Sequence, residues 1–481
     1  MAIFLISSIL CATAQSITAL IIFRAVQGSG GGGILTTVQT VVSDVVTLEQ
    51  RGLYEGILGA VVSVSSALGP LLGGVFTEKL SWRWCFYINI PLTGSAILVI
   101  IFGLPLKRVE GDIKRKLKQI DYSGSLLMVL SVTLILLALS WGGTMYPWDS
   151  AGVLAPLIVG TVFLVPFFYV EKVAALPIIP MYIFKVGTVN GILSGNFFIG
   201  FVFYANLYYL PQFYQVVHGA SPVMSGILTI PLVVSQTLCS LVSGVIVSKT
   251  GNYLIQMKLG YLIWAVACGL LTLVSPTISN AEIVIFQLLS GIGSGSTLMT
   301  GIIAVQAFLP RKQMAVATGT RNFLRLLGGT ISLAVCAAIL NNTFKRELSG
   351  RFPADTLKAI LSDPTQITSD VLGLSAVEQE VALIAYTHGI RNIYYFMIPN
   401  CCICFLVTWF TVKGQKTLKR EDDEKLKREG KEWIQQHGVR KHKNKSVVHS
   451  PNDEETVLEL SGAIREATTT EKGNTTSCNA V

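Results

Sequence analysis

The sequence predicts an all-α membrane protein: a bundle of about twelve spanning helices that carries an internal duplication. Three observations lead there. Of 481 residues 51% are hydrophobic and 14% charged, with a mean hydropathy of +0.58, whereas about a quarter of a soluble protein is charged. Apolar windows long enough to cross ~30 Å of hydrocarbon recur along the chain. They are too long for barrel strands, and a backbone that satisfies its own hydrogen bonds in lipid takes helices instead. A glycine-rich stretch also occurs twice, Ile22–Gly32 and Ile285–Gly295, with Gly28, Gly30 and Gly32 falling on Gly291, Gly293 and Gly295. Repeated helical units are how many secondary carriers are built.

The windows lie near 2–16, 18–43, 55–77, 85–105, 122–141, 152–170, 188–214, 222–248, 257–275, 282–308, 314–340 and 391–412. The first opens at Met1 with no charged flank and no cleavage site, and reads as the middle of a helix whose predecessor is missing rather than as a signal peptide. Lys and Arg orient the set. Arg51, the cluster Lys107 to Lys118, Lys172, Lys185, Lys249, Arg311 and Lys312 fall in one group of loops, against Lys79 and Arg83 in the other. The positive-inside rule places the first group in the cytoplasm. The expected organisation is a four-span remnant of an N-terminal bundle at 1–105 and a cytoplasmic basic loop at 106–121. Two linker spans and a cytoplasmic loop follow at 122–187, then a six-span C-terminal bundle at 188–413 with an external loop at 342–390. The tail 414–481 is charged, cytoplasmic and compositionally disordered. The sequon at Asn341 falls on the outer side and is a candidate glycosylation site; those at Asn444 and Asn474 fall inside.

Several residues stand out against their surroundings. Gly28-Ser29-Gly30-Gly31-Gly32-Gly33 has the spacing of a dinucleotide fingerprint, but no strand or soluble domain surrounds it, so no nucleotide is expected. Small residues four apart, Gly28 with Gly32 and Gly291 with Gly295, instead allow close helix approach. Arg24 puts a permanent charge in an apolar span, which is costly unless it faces protein or water. Gly56, Gly69, Pro70, Gly73 and Gly74 mark the next span as one that bends or packs closely. Tyr204, Tyr208 and Gln212 recur at i, i+4, i+8 on one drifting face. With Gln27, Asn196, Gln236 and Gln287 they are candidates to line a substrate cavity; the alternative for each is a helix–helix hydrogen bond. Nine cysteines suggest no disulfide framework, no spacing resembles a metal site, and no cofactor is expected.

Three local patterns resemble the major facilitator superfamily, and within it the fourteen-span drug:proton antiporters of the DHA2 type found in fungi. They are Leu20–Gly28 with its arginine; Gly56, Gly69-Pro70 and Gly73-Gly74, the antiporter motif, with Ser65 where glycine is usual; and the aromatic entry Ser81–Pro91. Weaker likenesses continue through Tyr208–Pro211, Ser248–Gly251 and Arg325–Gly329. The resemblance implies about 12 of 14 membrane helices, two more preceding Met1, with proton coupling at Arg24. It implies small organic substrates and protons as partners, with membrane lipid around a monomer and no nucleic acid. It implies efflux of drugs, toxins or secondary metabolites, at the plasma membrane rather than the vacuole. The alternatives are uptake or vacuolar transport of basic amino acids or siderophores, and, from another class, an inactive truncated remnant or a membrane sensor. No enzymatic activity is implied. No Asp or Glu lies near the centre of a predicted span: Asp44, Asp121 and Glu282 sit at span ends, so the coupling acid is missing from the sequence reading.

Overall fold

A computed structural model of the chain describes residues 1–46, 48–103, 120–142, 146–174, 177–309, 311–368 and 373–413. These belong to the first of two units, Met1–Leu418. Most of the expected basic loop and all of the expected tail lie outside the described residues, as do the sequons at Asn444 and Asn474.

The first group of helices is α1 (Ala2–Thr13), α2 (Ile17–Val45), α3 (Leu48–Lys79), the single turn α4 (Trp84–Tyr87) and α5 (Asn89–Gly103). A pair follows, α6 (Tyr122–Trp141) and α7 (Ala151–Val173). The second group holds α8 (Gly187–Val217), α9 (Pro222–Leu228), α10 (Ile230–Thr250), α11 (Leu254–Leu271), α12 (Asn280–Leu298), α13 (Thr300–Phe308), α14 (Arg311–Leu348), α15 (Ala354–Ser362) and α16 (Ala376–Thr411). Ten helices among the described residues are long and apolar enough to cross a membrane. The helix α1 is apolar but short. At 29 residues α2 is ample in length, while Arg24 and five glycines dilute its hydropathy.

Local chemistry sets the ends. Ser16 caps α2 through Ala19 N–H, and Asp121 caps α6 through Gly124 N–H at 2.7 Å. Ser279 with Glu282, and Ser375 with Glu378, form reciprocal capping boxes, each satisfying two otherwise unbonded donors. Gly251, at φ 66°, closes α10 in the left-handed conformation that a Cβ disfavours.

Three expected spans are each interrupted once, the window 85–105 at Ile88 between α4 and α5. Pro231, in the first turn of α10, accompanies a break at Thr229 between α9 and α10. The glycine-rich window 282–308 breaks at Met299, where the amides of Ile302 and Ile303 turn to the Met299 carbonyl. The stretch 342–390, expected as a loop, is mostly helical: α14 runs on to Leu348, α15 follows, and α16 starts at Ala376, not near 391.

The duplication has a physical counterpart. A Cβ on Gly30 would stand 2.8 Å from the backbone nitrogen of Phe4 on α1, and one on Gly293 would stand 2.8 Å from that of Trp264 on α11. The middle glycine of each copy thus seats the backbone of the preceding helix. Gly291 and Gly295 also meet the carbonyls of Leu232 and Gln236 on α10, whereas Gly28 and Gly32 have nothing within 4 Å. The expected close approach at Gly28 and Gly32 is therefore displaced to Gly30.

Candidate functional site

The two helical groups meet along α3. Its inward stripe is Gly52, Gly56 and Gly59, spaced i, i+4, i+7 on one helix face. A Cβ on Gly52 would lie 2.7 Å from the Gly244 carbonyl oxygen and 2.9 Å from Ser248 N; one on Gly56 would lie 3.1 Å from the Ser240 carbonyl oxygen. Gly59 faces the Ser240 hydroxyl and Met299. Further along, Gly74 abuts Pro222 and Val223 at 3.2 Å, and Gly226 abuts Leu71 at 3.3 Å. Backbone lies on backbone along the seam between α3 and α9–α10, as small residues permit. The antiporter-motif glycines divide accordingly. Gly56 and Gly74 are in the seam, whereas Gly69 and Gly73 have nothing within 4 Å of a Cβ. The helix continues unbroken through Pro70.

Beside this seam lies a layer of buried polar groups. Asn322 donates to Gln39 Oε1 at 2.6 Å, joining α14 to α2. Arg321, fully buried, donates through Nη2 to the Leu298 carbonyl. That carbonyl lost its usual helical partner at the Met299 break, so the guanidinium completes an interrupted helix. Asn196 on α8 donates to the Arg321 carbonyl at 2.6 Å. Glu55 on α3 is also fully buried and interacts electrostatically with Arg321. Neither residue stands out in the sequence pattern: Glu55 is at the edge of its hydropathy window, and the helix in fact begins seven residues earlier.

Arg24 lies elsewhere. It is exposed, donates from Nη1 to Gln27 Oε1 at 2.8 Å and stands 5.6 Å from the Phe86 ring centroid. Gln27 in turn donates to Ser8 at 2.7 Å. This cluster ties α1, α2 and α4 together within the first group. The nearby Arg83 donates to the Ala14 carbonyl at 3.1 Å and covers Trp82.

The remaining candidates occupy separate contacts in the second group. Tyr204 lies across Gly329, where α8 and α14 approach so closely that a Cβ on Gly200 would meet the Arg325 carbonyl. Tyr208 is exposed, in a groove lined also by Leu136 of α6 and Thr330 of α14. Gln212 accepts from Tyr386 of α16 at 3.5 Å. Gln287 donates to the Tyr214 hydroxyl at 2.5 Å, and Gln236 is buried against α12. The i, i+4, i+8 face is thus shared among several neighbours. Asn341 sits inside α14, and Thr343 of its sequon is buried and accepts from Asn392 at 3.1 Å.

A cavity of about 460 Å³ opens between α1, α2, α3 and α5, lined by Phe4, Leu35, Val38, Leu58 and Val62 with Gln39, Thr93 and Met299. Gln39 and Met299 join it to the buried polar layer. None of the sequence-derived cavity candidates is among its lining residues.

Apolar spanning helices in two groups, joined at a glycine seam and tied inside by a few buried polar bonds, define a multi-pass membrane protein of duplicated design. The chain belongs to the Major Facilitator Superfamily, whose profile matches residues 1–333. It is 38% identical over 349 residues to efflux pump dotC of Dothistroma septosporum, covering 72% of this chain and 60% of that protein. It is 36% identical over 403 residues to citrate exporter 1 of Yarrowia lipolytica, covering 83% and 59%. With efflux pump FUS6 of Gibberella moniliformis the identity is 33% over 417 residues, covering 85% and 74%. The chain spans about three fifths of the length of the first two.

Proposed function

We propose that this protein is a secondary carrier that expels lipophilic organic compounds in exchange for protons, by rocking its two helical groups about the α3 seam. The observation that carries the reading is the seam itself. Backbone packed on glycine, with the Gln39–Asn322 side-chain bond beside it, forms a contact that parts and re-forms without repacking bulky side chains. Arg24 is proposed to assist proton coupling, and Pro70 with its glycines to limit leak. The cavity beside the seam is apolar except for Gln39 and Thr93, which suits a lipophilic body. The efflux-pump names of dotC and FUS6 point the same way. A plasma-membrane location fits outward export.

A second reading, export of organic anions, is favoured by two buried guanidiniums, Arg321 and Arg325, and by the citrate exporter among the relatives. Basic amino acids would ask for acidic groups facing the cavity, and none is among its described lining residues. The test is flux in proteoliposomes under an imposed pH gradient, with the lipophilic dye rhodamine 6G and with citrate as probes. Gradient-driven dye movement supports the first reading, citrate movement the second. Gradient-independent leakage of both sinks the carrier reading.

A further inference from the structure

We propose that Glu55 is the proton-carrying group of this carrier and that Arg321 is its counter-charge across the seam; this rests on the reading of the chain as a proton-coupled carrier. The placement carries the argument. Glu55 lies between Gly52 and Gly59 on the stripe of α3 that faces α10 and Met299, and it is fully buried. One turn along, Gly59 touches Met299; the preceding carbonyl, at Leu298, is the one Arg321 holds. Glu55 thus lies one turn from the residue that abuts the helix break, Arg321 holds the carbonyl at that break from the other side of the seam, and the two interact electrostatically.

A carboxylate enclosed in a membrane bundle is tolerated when a cation compensates it. Arg321 supplies a charge that does not titrate, so Glu55 is the member that can change state. The groups around them, element by element, leave this assignment intact among the described residues. Helix α14 adds Arg325 one turn beyond Arg321, and α11 adds Tyr261, which also interacts with Arg321. Gln39 on α2 and Ser240 on α10 are polar but uncharged.

When Glu55 takes a proton it becomes neutral, and the attraction that draws α3 toward the Arg321 side is lost. The Gln39–Asn322 bond and the glycine contacts then hold this end without a charge pair, and the helices part here. Glu55 is four residues from Arg51, about 6 Å along the helix, so the proton leaves on the side of the basic turns. No bond other than the O–H bond is made or broken. One proton is carried per passage, with Arg321 as the fixed charge that favours its release.

The test is the separation of spin labels at Val41 on α2 and Lys249 on α10. Both are exposed and near this end. The full chain is used in lipid nanodiscs, with native cysteines replaced. Acidification from about pH 8 to about pH 5, which brackets the carboxylate range, is expected to lengthen the distance in the parent protein. Glu55→Gln is expected to show the long, acid-type distance at both pH values. Glu55→Asp, which keeps a carboxyl group but withdraws it from Arg321, is expected to respond with a displaced midpoint. A parent with no pH response overturns the proposal. So does a Glu55→Gln variant that responds like the parent, or, should that variant not fold, a Glu55→Asp variant with an unchanged midpoint. Proteoliposome flux separates this from the underlying reading. Absence of gradient-driven flux in the parent removes the carrier function whatever the labels report, whereas parental flux with an unaltered Glu55→Gln response removes Glu55 alone.

Discussion

Gly244→Ala perturbs the seam at its tightest backbone contact. The new methyl would meet the Gly52 carbonyl oxygen and come to 3.0 Å from Gly56 Cα. Both are backbone atoms, so neither can rotate away. Restoring ordinary contact, about 3.5–4 Å between carbons, moves α3 and α10 apart by roughly half an ångström to one ångström. Overpacking of that kind costs about 1–3 kcal/mol. Alanine also gains about 1 kcal/mol of helix propensity over glycine, so the comparison needs a control that gains the same. Gly73→Ala supplies it, being inside α3 with nothing within 4 Å of the new methyl. The difference between the two variants isolates the clash. At 1.4 kcal/mol per factor of ten, Gly244→Ala should shift the closed seam toward the parted state by about 5- to 150-fold relative to Gly73→Ala. Melting in detergent measures the stability difference, and label distances across the seam measure the population. A Gly244→Ala protein as stable and as closed as Gly73→Ala would refute the view that backbone contact holds this seam.

Arg24→Ala should abolish proton-driven flux while leaving insertion intact, with melting little changed. The Gln27 bond it removes lies within α2 between residues three apart, a class of pair worth about 0.2–0.5 kcal/mol; gradient-driven flux at the parental level in this variant would end its coupling role. His218, half-buried against the rings of Phe213 and Tyr214, is held below the ordinary imidazole range by desolvation. A base whose folded pKa is depressed gives stability that is complete above its unfolded pKa of about 6.5 and is lost as pH falls through that value. The melting temperature should therefore drop on acidification below about pH 7, and His218→Gln should flatten that drop; an identical pH profile in the variant would contradict it.

Hydropathy placed most of the spanning helices because apolar residues dominate their average, whether they lie at the surface or pack against other helices. It failed where a helix leaves the apolar region. Lys345, Arg346 and Glu347 continue α14, and the mixed sequence from Ala376 to Arg391 begins α16. A helix outside hydrocarbon needs caps and neighbours, not apolar residues, so an apolar window stops short of both ends. The same edge effect hid Glu55. The middle glycines of the duplicated stretch were legible as a repeat, but not which of them would touch, since Gly30 and Gly293 are defined by Phe4 and Trp264 on other helices. Gly52, Gly59 and Gly244 were invisible for a related reason: a seam glycine differs from a lipid-facing one only through its partner. The tyrosine stripe erred the opposite way. Spacing gave a common face for Tyr204, Tyr208 and Gln212, but α8 is surrounded, and one face meets α14, a groove beside α6, and α16 in turn.

Arg321 allows the structural and the functional sides of the buried layer to be separated. Arg321→Met removes the cation, leaves the Leu298 carbonyl without its donor and leaves Glu55 enclosed without its counter-charge. Removing one partner of a buried pair typically costs about 3–5 kcal/mol, whereas replacing both by apolar groups of similar size is often neutral. The single variant should therefore melt far below the parent, and Glu55→Leu with Arg321→Met should recover much of the loss. Recovery would stop short of the parent by about 1–3 kcal/mol for the carbonyl that stays unsatisfied. The double variant should still lack the pH response of the seam, because its proton-carrying group is gone. Stability and pH response would then part company in one protein. A purely structural pair predicts that they return together, so a double variant with both restored would remove Glu55 and Arg321 from the transport cycle.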